Sequence, residues 1–304
     1  MQLIYEEVDI TKRIHISKAD IIDNAGGIAD SIELWLSDAE GLWSQWKPKK
    51  DDTIRVVQDG FSSGIMYVDE LEQQRGTFII RALSIPQRAK TDTTRAWESI
   101  RFLELSTELA RKYGFSLQSY GVENYFYERL DQFEEADFKF LLMNCILEGC
   151  TLKLSDNKVI IYNESYMEKL DAIKTIYPSS FDGNYKFYSK ASGIYSICKL
   201  SYDNIKCEFT PSIGPQGPVL KRQDIFLSSQ ENGERYARNL LRFYNKYENT
   251  GEFTIKLDTD IAAGNNLNIS GLGIADGKYF CDKVIHKLVE EKTFLKLRKT
   301  LEVY

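Results

Sequence analysis

Histidine is almost missing from this chain: His15 and His286 are the two in 304 residues, and both lie in strand-like runs. A hydrolytic metal site gathers several His, Cys or carboxylate ligands at fixed spacing, and no such spacing is present. The five cysteines (Cys145, Cys150, Cys198, Cys207, Cys281) are odd in number and include no CxxC pair. That argues against a disulfide framework and for reduced, mostly buried thiols in a chain made in the cytoplasm. No apolar run approaches the length of a spanning helix, so no membrane insertion is expected. The opening Met1-Gln2-Leu3-Ile4-Tyr5-Glu6-Glu7 carries acids where a secretory leader carries bases. A basic surplus is also lacking. Lys and Arg number 39 against 45 Asp and Glu, a net charge of −6, which argues against general nucleic-acid binding. Walker and GxGxxG patterns are absent, and Gly271-Leu272-Gly273 sits in a hairpin with no helix behind it. No cofactor is expected.

What is present is ordinary globular material: 43% hydrophobic and 28% charged residues, enough for two or three domains with their own cores. The charge is unevenly spread, about −9 over residues 1–170 and about +3 over 171–304. Such asymmetry can orient neighbours in an assembly, although a small surplus commonly just keeps a surface solvated.

The chain repeats itself. Asp52-Thr53-Ile54-Arg55-Val56 through Gly60, Gly64 and Asp69 to Leu71 lies over Asn265-Asn266-Leu267-Asn268-Ile269 through Gly273, Gly277 and Asp282 to Val284. The match is gapless at an offset of 213 residues (265 − 52). Downstream, Thr77-Phe78-Ile79-Ile80-Arg81 answers the run Thr293 to Arg298; upstream, Ile32 to Leu36 answers Phe253 to Leu257. Each piece alternates apolar and polar residues, as a strand with one buried face does. Two similar β-domains in one polypeptide are expected.

Between the copies the pattern changes. A polar bridge over 86–96 leads to a helix with Phe102, Leu105, Leu109 and Tyr113 on one face and Gly114 at its end. A second helix is expected over about 135–148, followed by a hairpin turning at Asp156-Asn157. Residues 164–182 read as a linker with some extended structure, and Tyr195 to Leu200 and Ile205 to Phe209 as strands. A third helix begins after Ser228, with Glu231 completing a capping box. Asp276-Gly277 is a hairpin signal. The expected fold is α+β, mainly β: two similar small β-barrel domains with an inserted helix–helix–hairpin domain. The boundaries are 1–90, 91–165 and 166–304, the last holding a helix at about 229–247.

Catalytic candidates are thin. Glu134-Glu135 and Glu290-Glu291 fall at a helix start and a turn, where they serve the helix dipole or solvation. Strand aromatics most often build cores, although 18 tyrosines and 16 phenylalanines leave a sugar-binding surface conceivable. Trp43 and Trp46 occupy a connection longer in the first copy (Leu36 to Asp52) than in the second (Leu257 to Asn265), so they either dock a partner or close their own barrel. Trp35 points opposite to Ile32, Leu34 and Leu36, toward another domain or subunit. His286, between Val284 and Leu288, reads as a packed or interface histidine.

These residues carry a resemblance. Ile32 to Asp38, Leu42-Trp43, Trp46-Lys47-Pro48 and Asp52 to Val56 resemble the start of phage late control protein D and related tail hub proteins. Leu103 to Gly114, Asp137 to Leu141 and Glu148-Gly149-Cys150 look like that family's inserted helical domain. Ala263-Gly264-Asn265, Ile269-Ser270-Gly271, Asp276 to Tyr279, Val284-Ile285-His286 and Leu295 to Arg298 are similar to its ending. The resemblance implies a non-enzymatic baseplate hub of a contractile tail (phage, tailocin or related injection machine). Such a hub is a homotrimer whose two barrels per subunit form a pseudo-sixfold ring between a hexameric tail tube and a trimeric spike. Tail tube protein, spike protein, tape-measure protein and baseplate wedge are the implied partners, and the particle's tail baseplate, assembled in the bacterial cytoplasm, the implied location. Because the sequence ends at Tyr304 just after its last strand, the spike is expected on a separate chain. Trp35, Trp43, Trp46, Tyr279 and His286 are the candidate interface residues. A cell-wall or glycan-binding module is the alternative, and a hydrolase resting on scattered carboxylates a distant third.

Overall fold

The computed structural model describes residues 1–304, the side chain of Ser44 excepted. The chain opens with β1 (Gln2–Tyr5), β2 (Val8–Asp9), β3 (Ile16–Asn24) and β4 (Ser31–Ser37). The short helix α1 (Leu42–Trp46) leads to β5 (Thr53–Gln58), β6 (Phe61–Ser62), β7 (Met66–Gln74) and β8 (Thr77–Leu83). The alternation works as expected: Leu3, Ile32, Leu34, Leu36, Ile54, Val56, Met66, Val68, Ile80 and Ala82 converge on one core.

The middle of the chain holds β9 (Asp92–Arg101), α2 (Phe102–Lys112), β10 (Ser116–Tyr120), β11 (Phe126–Ala136), α3 (Asp137–Leu147), β12 (Cys150–Ser155) and β13 (Lys158–Asn163). Both helices and the β12–β13 hairpin stand where expected. The polar bridge does not: β9 pairs antiparallel with β11 as a separate two-stranded ribbon. Most ribbon residues are exposed, with Trp97, Tyr127 and Gln132 turned inward.

The expected linker instead begins with α4 (Glu164–Lys169), whose first turn is capped by the Asn163 side chain accepting from the Tyr166 amide. Then follow β14 (Ala172–Ile176), β15 (Lys186–Ser189), β16 (Ile197–Tyr202), β17 (Ile205–Phe209), β18 (Val219–Arg222) and α5 (Gln230–Asn245). The α5 cap is Ser229 rather than Ser228: its hydroxyl accepts from the Asn232 amide at 3.1 Å. Strands β16, β17 and β18 form their own sheet, and with α5 bury Cys198, Leu200, Cys207, Leu240 and Leu241 against Ile146 and Leu147 of α3. The chain closes with β19 (Asn249–Lys256), β20 (Asn266–Ile269), β21 (Gly277–Lys287) and β22 (Lys292–Lys299).

The repeat is a repeat of hydrogen-bond register. Neighbours run β4-β8-β7-β5 in the first copy and β19-β22-β21-β20 in the second. Thr53 faces Tyr67 and Ile54 faces Met66; at the 213 offset, Asn266 faces Phe280 and Leu267 faces Tyr279. The Val68 amide donates to Asp52 O and its carbonyl accepts from Asp51, both at 2.8 Å. Cys281 does the same with Asn265 and Gly264, also at 2.8 Å. A β-bulge interrupts each ladder at the same place, between Val68 and Glu70 and between Cys281 and Lys283, with an aspartate as the extra residue.

The flanking matches need correction. Phe78 in β8 takes the place of Thr293 in β22, an offset of 215 (293 − 78), because each faces the equivalent residue across its ladder. The expected match was one residue out, which would have turned every side chain to the wrong face. Leu34 corresponds to Phe253, not to Ile255, an offset of 219 (253 − 34). That two-residue slip keeps the faces.

Each copy gains two outer strands, β3 and β1 in the first, β15 and β14 in the second; β1 runs antiparallel to β5 whereas β14 runs parallel to β20. The copies then join through β3 and β21, from Lys283 against Asn24 to Lys287 against Asp20, in one 14-stranded sheet.

Gly60 and Gly273, equivalent in the repeat, both adopt left-handed backbone at φ 88° and 66°, and a Cβ at either would meet open space. We expect Gly60→Ala and Gly273→Ala each to cost about 1–2 kcal/mol through backbone strain alone. A lowered urea midpoint in both variants checks this; an unmoved midpoint contradicts it.

Candidate assembly surface

The sequence-derived candidates divide by burial. Helix α1, entered by Gly41 and left by Lys47 in left-handed conformations, turns Trp43 inward. Trp43 is fully buried, stacked on Phe78 at 5.4 Å and meeting Tyr5 and Trp46 edge-on at 5.8 and 5.1 Å. It plugs the end of its own core. Tyr279 is buried in the second core, and its hydroxyl donates to Ala275 O at 2.9 Å. His286 is buried where the copies join: its Nδ1 lies 3.1 Å from Thr293 Oγ1, and Phe61 of the first copy meets its ring at 5.0 Å. Burial holds this imidazole below its usual pKa. Trp43, Tyr279 and His286 therefore present no face to another chain, which corrects their place among the interface candidates. Trp35 and Trp46 remain 37% and 38% exposed. The Trp35 indole donates to Glu33 Oε1 at 2.7 Å, and Lys18 lies 5.4 Å from its ring.

A cleft of about 540 Å³ lies between the β9–β11 ribbon and α2, lined by Thr93, Arg95, Trp97, Glu108, Lys112 and Asp137. Its carboxylate is already saturated. Asp137 accepts from Lys112 Nζ (2.6 Å), Tyr113 OH (2.8 Å), Thr93 Oγ1 (2.8 Å) and Gln132 Nε2 (2.7 Å). Burial alone would raise this acid, but those donors outweigh it and hold the carboxyl below its usual range. A carboxylate so occupied anchors the ribbon and is a poor general base. The five thiols are free and buried, and burial pushes all of them up, Cys198 to about 12. Among the described residues no group of three or more His, Cys, Asp or Glu could hold a metal ion, and no helix is long and apolar enough to cross a membrane.

Ionic groups gather where the insert meets the second copy. Lys246 Nζ lies 2.6 Å from Glu164 Oε1, Arg242 Nη2 2.6 Å from Glu168 Oε1, and Arg298 reaches both carboxylates, with Glu164 at 3.6 Å. All five side chains are buried. Sequence reading missed this cluster because its members come from α4, α5 and β22, far apart along the chain.

What remains open is sheet edge. Strand β15 ends the long sheet and pairs with β19 alone. Strand β7 meets β5 over Thr53–Ile54 and backbone at Asp51 and Asp52 up to Val68, and from Glu70 onward its side away from β8 has no neighbouring strand. An open edge invites another strand.

The architecture recurs in solved tail proteins. Over 98% of this chain and 97% of the other, the fold is similar to the 43 kDa tail protein of prophage MuSo2 from Shewanella oneidensis (TM-score 0.77, 10% identity). Over 98% and 95% it is similar to the tail protein from Neisseria meningitidis MC58 (TM-score 0.77, 12% identity). The E. coli c3393 protein, a type VI secretion component described as structurally similar to the T4 bacteriophage tail proteins gp27 and gp5, matches over 99% and 78% (TM-score 0.60, 8% identity). No family sequence model and no curated sequence matches the chain. At these identities the likeness establishes the fold alone: α+β, mainly β, of the kind seen in those tail proteins.

Burial alone would raise Glu164, but Lys246, Arg298 and Arg242 outweigh it and bring the carboxyl from 4.5 down to about 2. A depressed carboxylate stabilises fully above its unfolded value, and that contribution drains away as pH falls through its folded one. Stability should therefore drop between about pH 4.5 and 2. Lys246→Met should cost about 3 kcal/mol at neutral pH by leaving a buried carboxylate short of a partner, and should move the acid limb upward. Thermal melts from pH 7 to 2 check both; superimposable limbs contradict the account.

Proposed function

We propose that this chain is the structural hub subunit of a contractile-tail baseplate, in a phage, a tailocin or a related injection machine. Three copies, each with two equivalent strand modules, form a ring of six that meets a hexameric tail tube on one face and a trimeric spike on the other. The observation that carries the reading is the duplicated register, bulge included, joined within one chain by β3 and β21. A threefold assembly of such a chain offers six near-equivalent positions, so symmetry matching needs complementary surfaces and no active site.

On this reading residues 1–90 and 166–304 are the tube-like modules and 91–165 the insert. The segment from β16 to α5, a three-stranded sheet covered by one helix, is a layer carried by the second module. Trp35 and Trp46 are aromatic contacts for a neighbouring subunit, tube or spike. The tape-measure protein and the baseplate wedge are further partners. The protein belongs to the tail baseplate of a particle assembled in the bacterial cytoplasm.

Light scattering on the purified chain tests this. The expected mass is three times 35.1 kDa, alone or with the spike. A stable monomer that sediments with purified peptidoglycan would contradict it and favour the glycan-binding alternative. Clearing of cell walls in a zymogram would favour a hydrolase.

A further inference from the structure

The contact between the two modules inside one chain is a template for a contact between chains. Strand β3 lays its outer edge on β21, with Asp23 opposite Val284, Ile22 opposite Ile285 and Asn24 opposite Lys283. By ladder position β15 corresponds to β3: Lys186 faces Glu252 and Tyr188 faces Thr250, as Asp20 faces Glu33 and Ile22 faces Ser31. The β21 stretch that receives β3 corresponds, at the 213 offset, to β7 from Glu70 onward. Both corresponding edges, β15 and β7, lack a neighbouring strand in the single chain.

We infer that the β15 edge of one copy pairs antiparallel with the Glu70–Glu72 edge of β7 in a second copy, repeating between chains the β3–β21 junction made within one. The inference rests on the ring proposed above and specifies what holds it. The transferred register sets Leu71 opposite the partner's Ser189, Glu72 opposite the partner's Tyr188 and Glu70 opposite the partner's Lys190.

Charge supports this pairing over its competitors. The receiving edge carries Glu70 and Glu72, whose carboxylates are steadied beside it by Arg81 Nη1 at 3.1 Å from each. The offered edge carries Lys186 and Lys190, both exposed. Inside the chain the signs are reversed, with Lys283 and Lys287 on the receiving β21 and Asp20 on the offered β3. Two β7 edges would set acid against acid and two β15 edges base against base, and like charges directly opposite are destabilising. Self-pairing of either edge is thus disfavoured. The favoured contact is head-to-tail, the kind that closes into a ring when its rotation permits.

Cross-linking of the full chain tests the pairing, since its five native cysteines are buried. Glu72 and the partner's Tyr188 would form a non-hydrogen-bonded pair, with Cα atoms about 4.5 Å apart, within disulfide reach. The variant carrying both Glu72→Cys and Tyr188→Cys should yield covalent dimers and trimers on mild oxidation, and either substitution alone should yield neither. Independently, Glu70→Lys with Glu72→Lys should lower trimer affinity at least about tenfold, and adding Lys186→Glu with Lys190→Glu should restore it. Trimeric mass without cross-linking in the double variant, and indifference to charge reversal, would overturn the pairing and leave the trimer standing. A monomeric wild-type chain would overturn both.

Discussion

Strand β21 has three neighbours, and the rest of the molecule depends on how it divides its two edges among them. One edge belongs to β22; the other is shared, with β20 along Gly277–Phe280 and β3 along Lys283–Lys287. Side chains alternate along a strand, so this double commitment leaves no freedom to slip by one residue: a slip would expose Tyr279, Cys281 and Val284 and turn polar neighbours inward. The bulge at Asp282 marks the change of partner and re-aims the strand between them. Asp282 is itself held, accepting from the Tyr247 hydroxyl at 3.0 Å; its counterpart Asp69 pairs with Lys90. The same device, anchored by a different residue in each copy, interrupts both ladders at the equivalent place.

The intervening segments serve that frame. The insert is tied to the first copy where Lys153 meets Asp23 and Asp30, and where Tyr162 donates to Ala25 O. It is tied to the second where Glu164, at its end, meets Lys246 and Arg298. Removing one partner from such a cluster costs more than the intact pair contributes, because the remaining charge is left in a poorly solvating interior. The insert thus acts as a brace across the junction, whereas the Asp137 cluster ties together elements of the insert itself.

Legibility in the sequence followed burial. The core of the repeat, from Asp52 to Leu71 and Asn265 to Val284, could be read because paired glycines and alternating apolar residues recur without a gap. Its flanks were misplaced by one and two residues, since turns of different length separate the strands and propensity cannot supply register across a turn. The β9–β11 ribbon escaped because both its faces are largely solvated, which removes the apolar alternation that identifies a strand. Helix α4 escaped because six residues hold under two turns of helical period. For the five interface candidates, aromatic type and strand position did not reveal direction: Trp43, Tyr279 and His286 are buried in cores and the junction, while Trp35 and Trp46 are partly exposed.

On the proposed reading, front and rear modules are interchangeable units joined by one kind of edge contact. End-on electron cryomicroscopy of the purified assembly tests it most directly. We expect class averages with six lobes around an open centre, alternating between two slightly different shapes and resolving to three chains. A particle with another number of lobes, or one in which the two modules of a chain lie at different radii, would contradict it.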